Sequence, residues 1–443
     1  MALYTEKLYS QPPPKFGRDL RKYFALDPNY VNLNHGSYGT TPLPVLQACE
    51  EISREIESNP DKFHRLNYQA RLISVREELA RLIGAKTHEV VLVANTSLGI
   101  NTILRNIQWE KGDSILVTTT TYGSIFRTSQ YLSNILPHPH LLVLTLNFPL
   151  THEEITSLFK ERIQALPPGK NRIAIVDSIV SNPGVLLPWK EIVEICREEG
   201  VLSLVDAAHS IVQELSINLE EAKPDFWVAN CHKSLYAKRS CAVIYIPERN
   251  QHIVQSSIPT SYAYRPLNER KGFGLVEQSE WNGTIDWAPF LTVNDSLAFR
   301  AWLGGEEVIN EYCHDLALQG GCRLAEILDT RVLDPQGDLT VNMVNVKLPF
   351  PNTSILPYSD KLDIMLKKKM LNGHNAYSAH FPHNGEWWTR CSAQIFNEIS
   401  DFEKLGEAWL VVCKEILEGY GLPAYLPMAN GHAKPEANGR LKD

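Results

Sequence analysis

Seven short apolar runs, at 90–93, 114–117, 140–144, 173–176, 202–205, 226–229 and 241–246, constrain this chain most. Each is continuous rather than alternating in polarity. Strands read that way when helices cover both faces of a mostly parallel sheet. Helical periodicity fills the intervals, at 97–106, 124–135, 153–166 and 189–199, and precedes the first run over about 45–83. From about Asp295 long helices take over, with a few strands; 341–348 is expected to alternate in polarity. The expected architecture is α/β: a mostly parallel seven-stranded sheet sandwiched by helices, plus a small C-terminal α+β domain. The expected division is 1–40 as an N-terminal arm and mouth segment, 41–294 as the large domain, 295–426 as the small one, and 427–443 as a disordered tail. Pro12-Pro13-Pro14 suggests that residues 1–20 run extended over a neighbouring surface.

Ligands of open α/β sheets bind at the carboxyl ends of strands. That rule selects Asn95-Thr96-Ser97, Thr121-Tyr122, Asp177 to Asn182, Asp206 to His209 and His232-Lys233. Asp206 ends a run of strand residues, where a carboxylate costs several kcal/mol of desolvation, about 3–5, unless it is paired. Lys233 follows about 27 residues later, behind His232. Asn95, Thr96 and Ser97 open a helix, where N–H groups and hydroxyls attract an anion. Tyr122 ends the second run, placed to stack on a ring. Each has an ordinary reading of its own: Asp206 and Thr96 as helix caps, Lys233 as a surface cation, His232 as a rim residue and Tyr122 as core. Their occurrence together, each at a strand end, points to pyridoxal phosphate, which needs a lysine for its aldehyde and an acid at its ring nitrogen.

A formal charge of −8 argues against nucleic acid and anionic membranes as partners. No apolar run reaches the roughly 18 residues of a membrane span, and residues 1–10 lack a signal-peptide core. The eight cysteines form no C-x-x-C pair and read as buried free thiols. No metal site is expected, and a cytoplasmic location is.

The phrases Asn32-Leu33-Asn34-His35-Gly36-Ser37-Tyr38-Gly39, Val205-Asp206-Ala207-Ala208-His209, Asn230-Cys231-His232-Lys233, Asn282-Gly283-Thr284 and Arg390-Cys391-Ser392-Ala393-Gln394 carry a resemblance. Over roughly 17–415 the chain resembles the class V aminotransferases of fold type I, which include cysteine desulfurases and isopenicillin N epimerase-like proteins. Asp177 to Gly184 and Arg249-Asn250-Gln251-His252 make it similar, within that group, to the hercynylcysteine sulfoxide lyases of ergothioneine synthesis. Loline-type alkaloid cyclases share several of these phrases.

The resemblance implies a Schiff-base lysine at Lys233 and a pyridinium partner at Asp206. It puts His209 and Ser181 near the cofactor's phenol oxygen. Thr96 and His232 would hold the phosphate, with Asn95 and Ser97 at the same helix opening. Asn230 stands where desulfurases usually carry Ser, so the phosphate cup is expected to be rebuilt here, and Tyr122 sits where desulfurases usually stack a His on the ring. Thr284 would reach the phosphate of a second subunit, which implies a homodimer with shared sites. Arg390 would clamp the substrate α-carboxylate, with His35, Gly36, Ser37 and Tyr38 lining the mouth. Desulfurases carry a mobile-loop cysteine a few tens of residues before that arginine. No cysteine lies between Cys322 and Cys391 here, so persulfide chemistry on such a loop is not expected. Cys322 reads as core, and Cys391 should point away from its neighbour Arg390. Tyr262, Tyr264, Trp281 and Trp287 are candidates for a substrate-tail pocket, with core or dimer packing as the alternative.

The implied activity is a carbon–sulfur β-lyase acting on an amino acid that is a cysteine conjugate or its sulfoxide, of the hercynylcysteine sulfoxide to ergothioneine type, releasing pyruvate and ammonia. The alternative is an epimerase or alkaloid-forming cyclase using the same cofactor.

Overall fold

The computed structural model describes residues 7–256 and 258–423. The tail expected to be disordered, 427–443, lies outside them. The strands are β1 (Val31–Asn32), β2 (Val90–Val93), β3 (Ser114–Thr118), β4 (His140–Leu144), β5 (Arg172–Asp177), β6 (Leu202–Asp206), β7 (Phe226–Asn230), β8 (Ala242–Tyr245), β9 (Met343–Lys347), β10 (Ala376–Tyr377), β11 (Ala379–His383) and β12 (Glu386–Ser392). Seven form one sheet in the order β2-β8-β7-β6-β5-β3-β4. Within it β8 runs antiparallel to both of its neighbours, and the remaining pairs are parallel.

The reason for the continuous apolar runs is visible in the packing. Ala174, Val176, Val205, Trp227 and Ala229 enter one core, with the helices Tyr68–Ile83, His152–Gln164 and Trp189–Glu198. Their strand neighbours Ile173, Ile175, Leu204, Phe226 and Val228 enter the core on the other face, with Thr96–Asn106 and Gly123–Asn134. Successive side chains point to opposite faces of a strand, so a strand covered on both sides must be apolar at every position. The edge strand β4 breaks the pattern, with His140 and Val143 exposed.

β9, β12 and β11 form a small antiparallel sheet, packed on the helices Glu306–Leu328 and Ile399–Gly419. β9 alternates in polarity, but its exposure does not follow: Met343 to Val346 are all buried. Val344 and Val346 face the helix core. On the other side Asn345 holds Gly184 by both main-chain groups, accepting from its N at 2.8 Å and donating to its O at 3.0 Å. A second covering layer thus lies where solvent was expected.

The N-terminal segment is not simply extended. Residues Arg18–Tyr23 form a 3-10 helix, and Leu20 and Phe24 pack on Tyr236, Phe299 and Phe396 of the same chain. β1 then pairs in parallel with β10, and Asn34 bridges to Ser392. This carries residues 34–39 to the junction between the two sheets. Among the described residues no helix is long and apolar enough to cross a membrane.

Candidate active site

The first structural consequence for the site is that β5, β6 and β7 run on to Asp177, Asp206 and Asn230. These polar residues end the strands rather than follow them. By the alternation of strand side chains, all three leave the face that carries the helix Thr96–Asn106. They line a cavity of about 330 Å³ with Ser37, Tyr38, Asn95, Thr96, Ser97, Tyr122, Ser181, His209, His232 and Lys233.

Lys233 Nζ lies 3.2 Å from His209 Nε2. Burial, with the Arg390 cation nearby, pulls the lysine down to about 7, against the opposing pull of Asp206. Burial and the charges of Lys233 and Arg390 keep His209 well below its usual range, hence neutral. Asp206 Oδ1 accepts the Ala208 N–H at 3.1 Å, and burial raises its carboxyl to about 6. Asp177, its register partner on β5, is pushed well above the carboxylate range by burial and by the charge of Asp206.

At the opening of the helix Thr96–Asn106, Asn95 caps the Leu98 N–H at 2.9 Å. Asn230 Oδ1 takes the Thr96 N–H at 3.0 Å. The Thr96 hydroxyl is buried with no protein partner. His232 donates from Nδ1 to the Cys241 carbonyl at 2.8 Å, which leaves Nε2 for other partners. Tyr122 precedes the helix Gly123–Asn134 and is half-exposed.

Arg390, on β12, is buried. Nη1 donates to the Ser181 carbonyl at 2.6 Å and Nη2 to Asn34 Oδ1 and Ser37 Oγ, at 3.2 and 3.1 Å. Every one of these acceptors is neutral, so no carboxylate balances the guanidinium, and burial lowers it to about 10. Cys391 points the other way, into the helix core.

Several expectations need correcting. His35 and Gly36 do not line the mouth. The helical turn His35–Tyr38 turns His35 inward against Tyr236 and Phe396, and its Nε2 donates to the Lys233 carbonyl at 3.1 Å. Gly36 is buried, with Ser392 and Met343 where a Cβ would go. Thr284, expected to serve a second subunit and not its own cavity, is exposed and outside this chain's cavity, so that expectation is not among those corrected. Trp281 and Trp287 stack at 5.9 Å, with Tyr262 beside Trp281 and Tyr68 beside Trp287, and none of them lines the cavity that holds Lys233; Trp287 belongs to the core. Cys322 is exposed, not core. Among the described residues no cluster of three His, Cys, Asp or Glu could hold a metal ion.

Asp177 and Asn34 were assigned no role from sequence. A signal for Asp177 was present: it ends an apolar run just as Asp206 does. Asn34 had none, because its partner Arg390 lies far away in the chain.

The class-V aminotransferase family model matches residues 33–405. An L-cysteine desulfhydrase-like protein of Epichloe uncinata is 34% identical over 91% of this chain and 97% of its own length. The hercynylcysteine sulfoxide lyase of Schizosaccharomyces pombe is 30% identical over 87% of this chain and 95% of its own. A solved structure of the lyase C-DES, a mutant with glycine linked to its PLP cofactor, superposes with a TM-score of 0.72. It has 15% identity and covers 88% of this chain and 98% of that one.

Proposed function

The chain belongs to the class-V aminotransferase family, and we propose that it is a pyridoxal phosphate-dependent carbon–sulfur β-lyase acting on a cysteine conjugate or its sulfoxide. One observation carries this reading. A lysine amine near neutrality and a buried carboxylate line one small cavity, and a guanidinium without a counter-ion bonds Ser181 and Ser37 of its wall.

The residues fit the cofactor. Thr96 Oγ1 and His209 Nδ1 are buried around the cavity without a protein partner, a costly arrangement unless a ligand completes it. When bound, pyridoxal phosphate supplies an aldehyde for an amine and a ring that takes up the electron pair released at Cα. Lys233 would be the amine that carries it, and Asp206 the carboxylate for its ring nitrogen. Thr96, Ser97 and His232 would hold the phosphate, with Asn95 and Asn230 fixing the helix opening. His209 and Ser181 would serve the phenol oxygen. Thr284 belongs to the cavity of a second copy, in a homodimer.

Arg390 selects a substrate bearing a carboxylate, since a buried cation without a counter-ion is stabilised by one. Lys233, neutral above about pH 7, would take the Cα proton. Tyr122, at the half-exposed rim, protonates the sulfur as the Cβ–S bond breaks. Ser37 and Tyr38 flank the substrate's tail. The three-carbon fragment hydrolyses to pyruvate and ammonia. From a sulfoxide the sulfur leaves as a sulfenate, which a thiol reductant must convert to the thiol, as in the hercynylcysteine sulfoxide to ergothioneine reaction.

The test is pyruvate release from a cysteine-conjugate sulfoxide such as hercynylcysteine sulfoxide. Formation above a Lys233→Ala control is expected. Deuterium wash-in at Cα without pyruvate would replace the lyase with an epimerase.

A further inference from the structure

Asp177 and Asp206 end adjacent parallel strands in register. Register partners point to the same face, with strands about 4.8 Å apart. Both residues are buried and both line the cavity. Two carboxylates in such a place do not both ionise, and one proton serves the pair.

Their surroundings differ. Asp206 accepts the Ala208 N–H and feels the Lys233 cation, both of which favour its charged form. Asp177 has only its own backbone N–H, and the charge that bears on it is that of Asp206. Its Oδ2 is sealed from solvent with no partner. The other charged or titratable groups around the cavity are Tyr38, Tyr122 before the helix Gly123–Asn134, His209 after β6, and His232 and Lys233 after β7, with Arg390 of β12 bonded to its wall. Of these, only Lys233 bears on either carboxylate, and it acts on Asp206.

We propose that Asp177 is a positioning residue: it keeps the shared proton and through it donates a hydrogen bond to Asp206, so that Asp206 stays ionised for the ring nitrogen of the cofactor. This rests on the pyridoxal phosphate reading. A hydrogen bond donated to Asp206 makes it a weaker base, and the proton between acid and ring then stays on the ring. That is the state in which the ring accepts electrons best. Removing one donor from a carboxylate shifts its pKa by about one unit, or about tenfold in proton placement.

The experiment compares wild type, Asp177→Asn and Asp177→Val. Infrared difference spectra, wild type minus Asp177→Asn, are recorded at neutral pH with and without pyridoxal phosphate. A carbonyl stretch of an un-ionised carboxyl is expected in wild type and absent from the variant. The amide of Asp177→Asn can still donate to Asp206, whereas Asp177→Val cannot. Asp177→Val is therefore expected to have a kcat about tenfold below that of Asp177→Asn, with KM unchanged. Absence of the un-ionised carboxyl band overturns the proposal. So does equal kcat in two variants that melt like wild type. If Asp177→Val fails to fold, the infrared comparison decides alone. Failure of the cofactor reading is separate: the protein would then develop no absorbance with pyridoxal phosphate, while the carboxyl band of the cofactor-free protein would still report on the pair.

Discussion

His35 Nε2 donates to the main-chain oxygen of Lys233 across 3.1 Å. The imidazole is buried and held down to about 4, mainly by desolvation, so it is neutral with its proton on Nε2. The contact ties the N-terminal segment to the residue proposed to carry the cofactor. His35→Ala leaves the Lys233 carbonyl with the Tyr236 N–H alone, at 3.2 Å, and removes a ring packed on Tyr236 and Phe396, at a cost of about 1–2 kcal/mol. The expected outcome is a lower melting temperature and faster loss of pyridoxal phosphate on dialysis, with Gln at the same position restoring part of both.

Gly39 follows the same turn with φ +69°, and a Cβ there would sit 1.8 Å from the His232 carbonyl oxygen. No side-chain rotation relieves a clash with backbone. Gly39→Ala is expected to cost at least about 2 kcal/mol, read as a lower urea midpoint. Gly123→Ala meets nothing within 4 Å and is the matched control, with no comparable loss.

The sign of the pH dependence follows from Lys233, whose amine is lowered to about 7. Below that pH it is protonated and cannot attack an aldehyde. The rate at which cofactor-free protein captures pyridoxal phosphate should rise through about pH 7 and level off above it. Stopped-flow absorbance checks this. A rise delayed toward pH 10 would mean the amine is ordinary.

Arg390 reaches Ser181, Asn34 and Ser37 through both terminal nitrogens at once. Lysine cannot reproduce that fork. Arg390→Lys should lower kcat/KM for the amino acid about 10–100-fold, the loss of one to two charge-assisted hydrogen bonds. Bound cofactor, measured by its visible absorbance, should be retained.

The large sheet was legible because each strand's two faces meet two different cores, which forces the continuous runs. The residues at its strand ends were legible through one rule of sheet topology. What was not legible depends on contacts distant in sequence. β9 is buried on both sides because Asn345 meets Gly184, and His35 is a prop because its turn faces Tyr236 and Phe396. Neither the pattern in 341–348 nor the phrase His35-Gly36-Ser37-Tyr38 contains those partners. Cys322 was misplaced because helical periodicity in a weakly amphipathic helix does not say which face turns outward.

The measurement that bears most directly on the whole account is borohydride reduction of the protein with pyridoxal phosphate, followed by peptide mapping. The label is expected on Lys233 and to vanish in Lys233→Ala. A stable label on another side chain, or none at all, would contradict the assignment of this cavity.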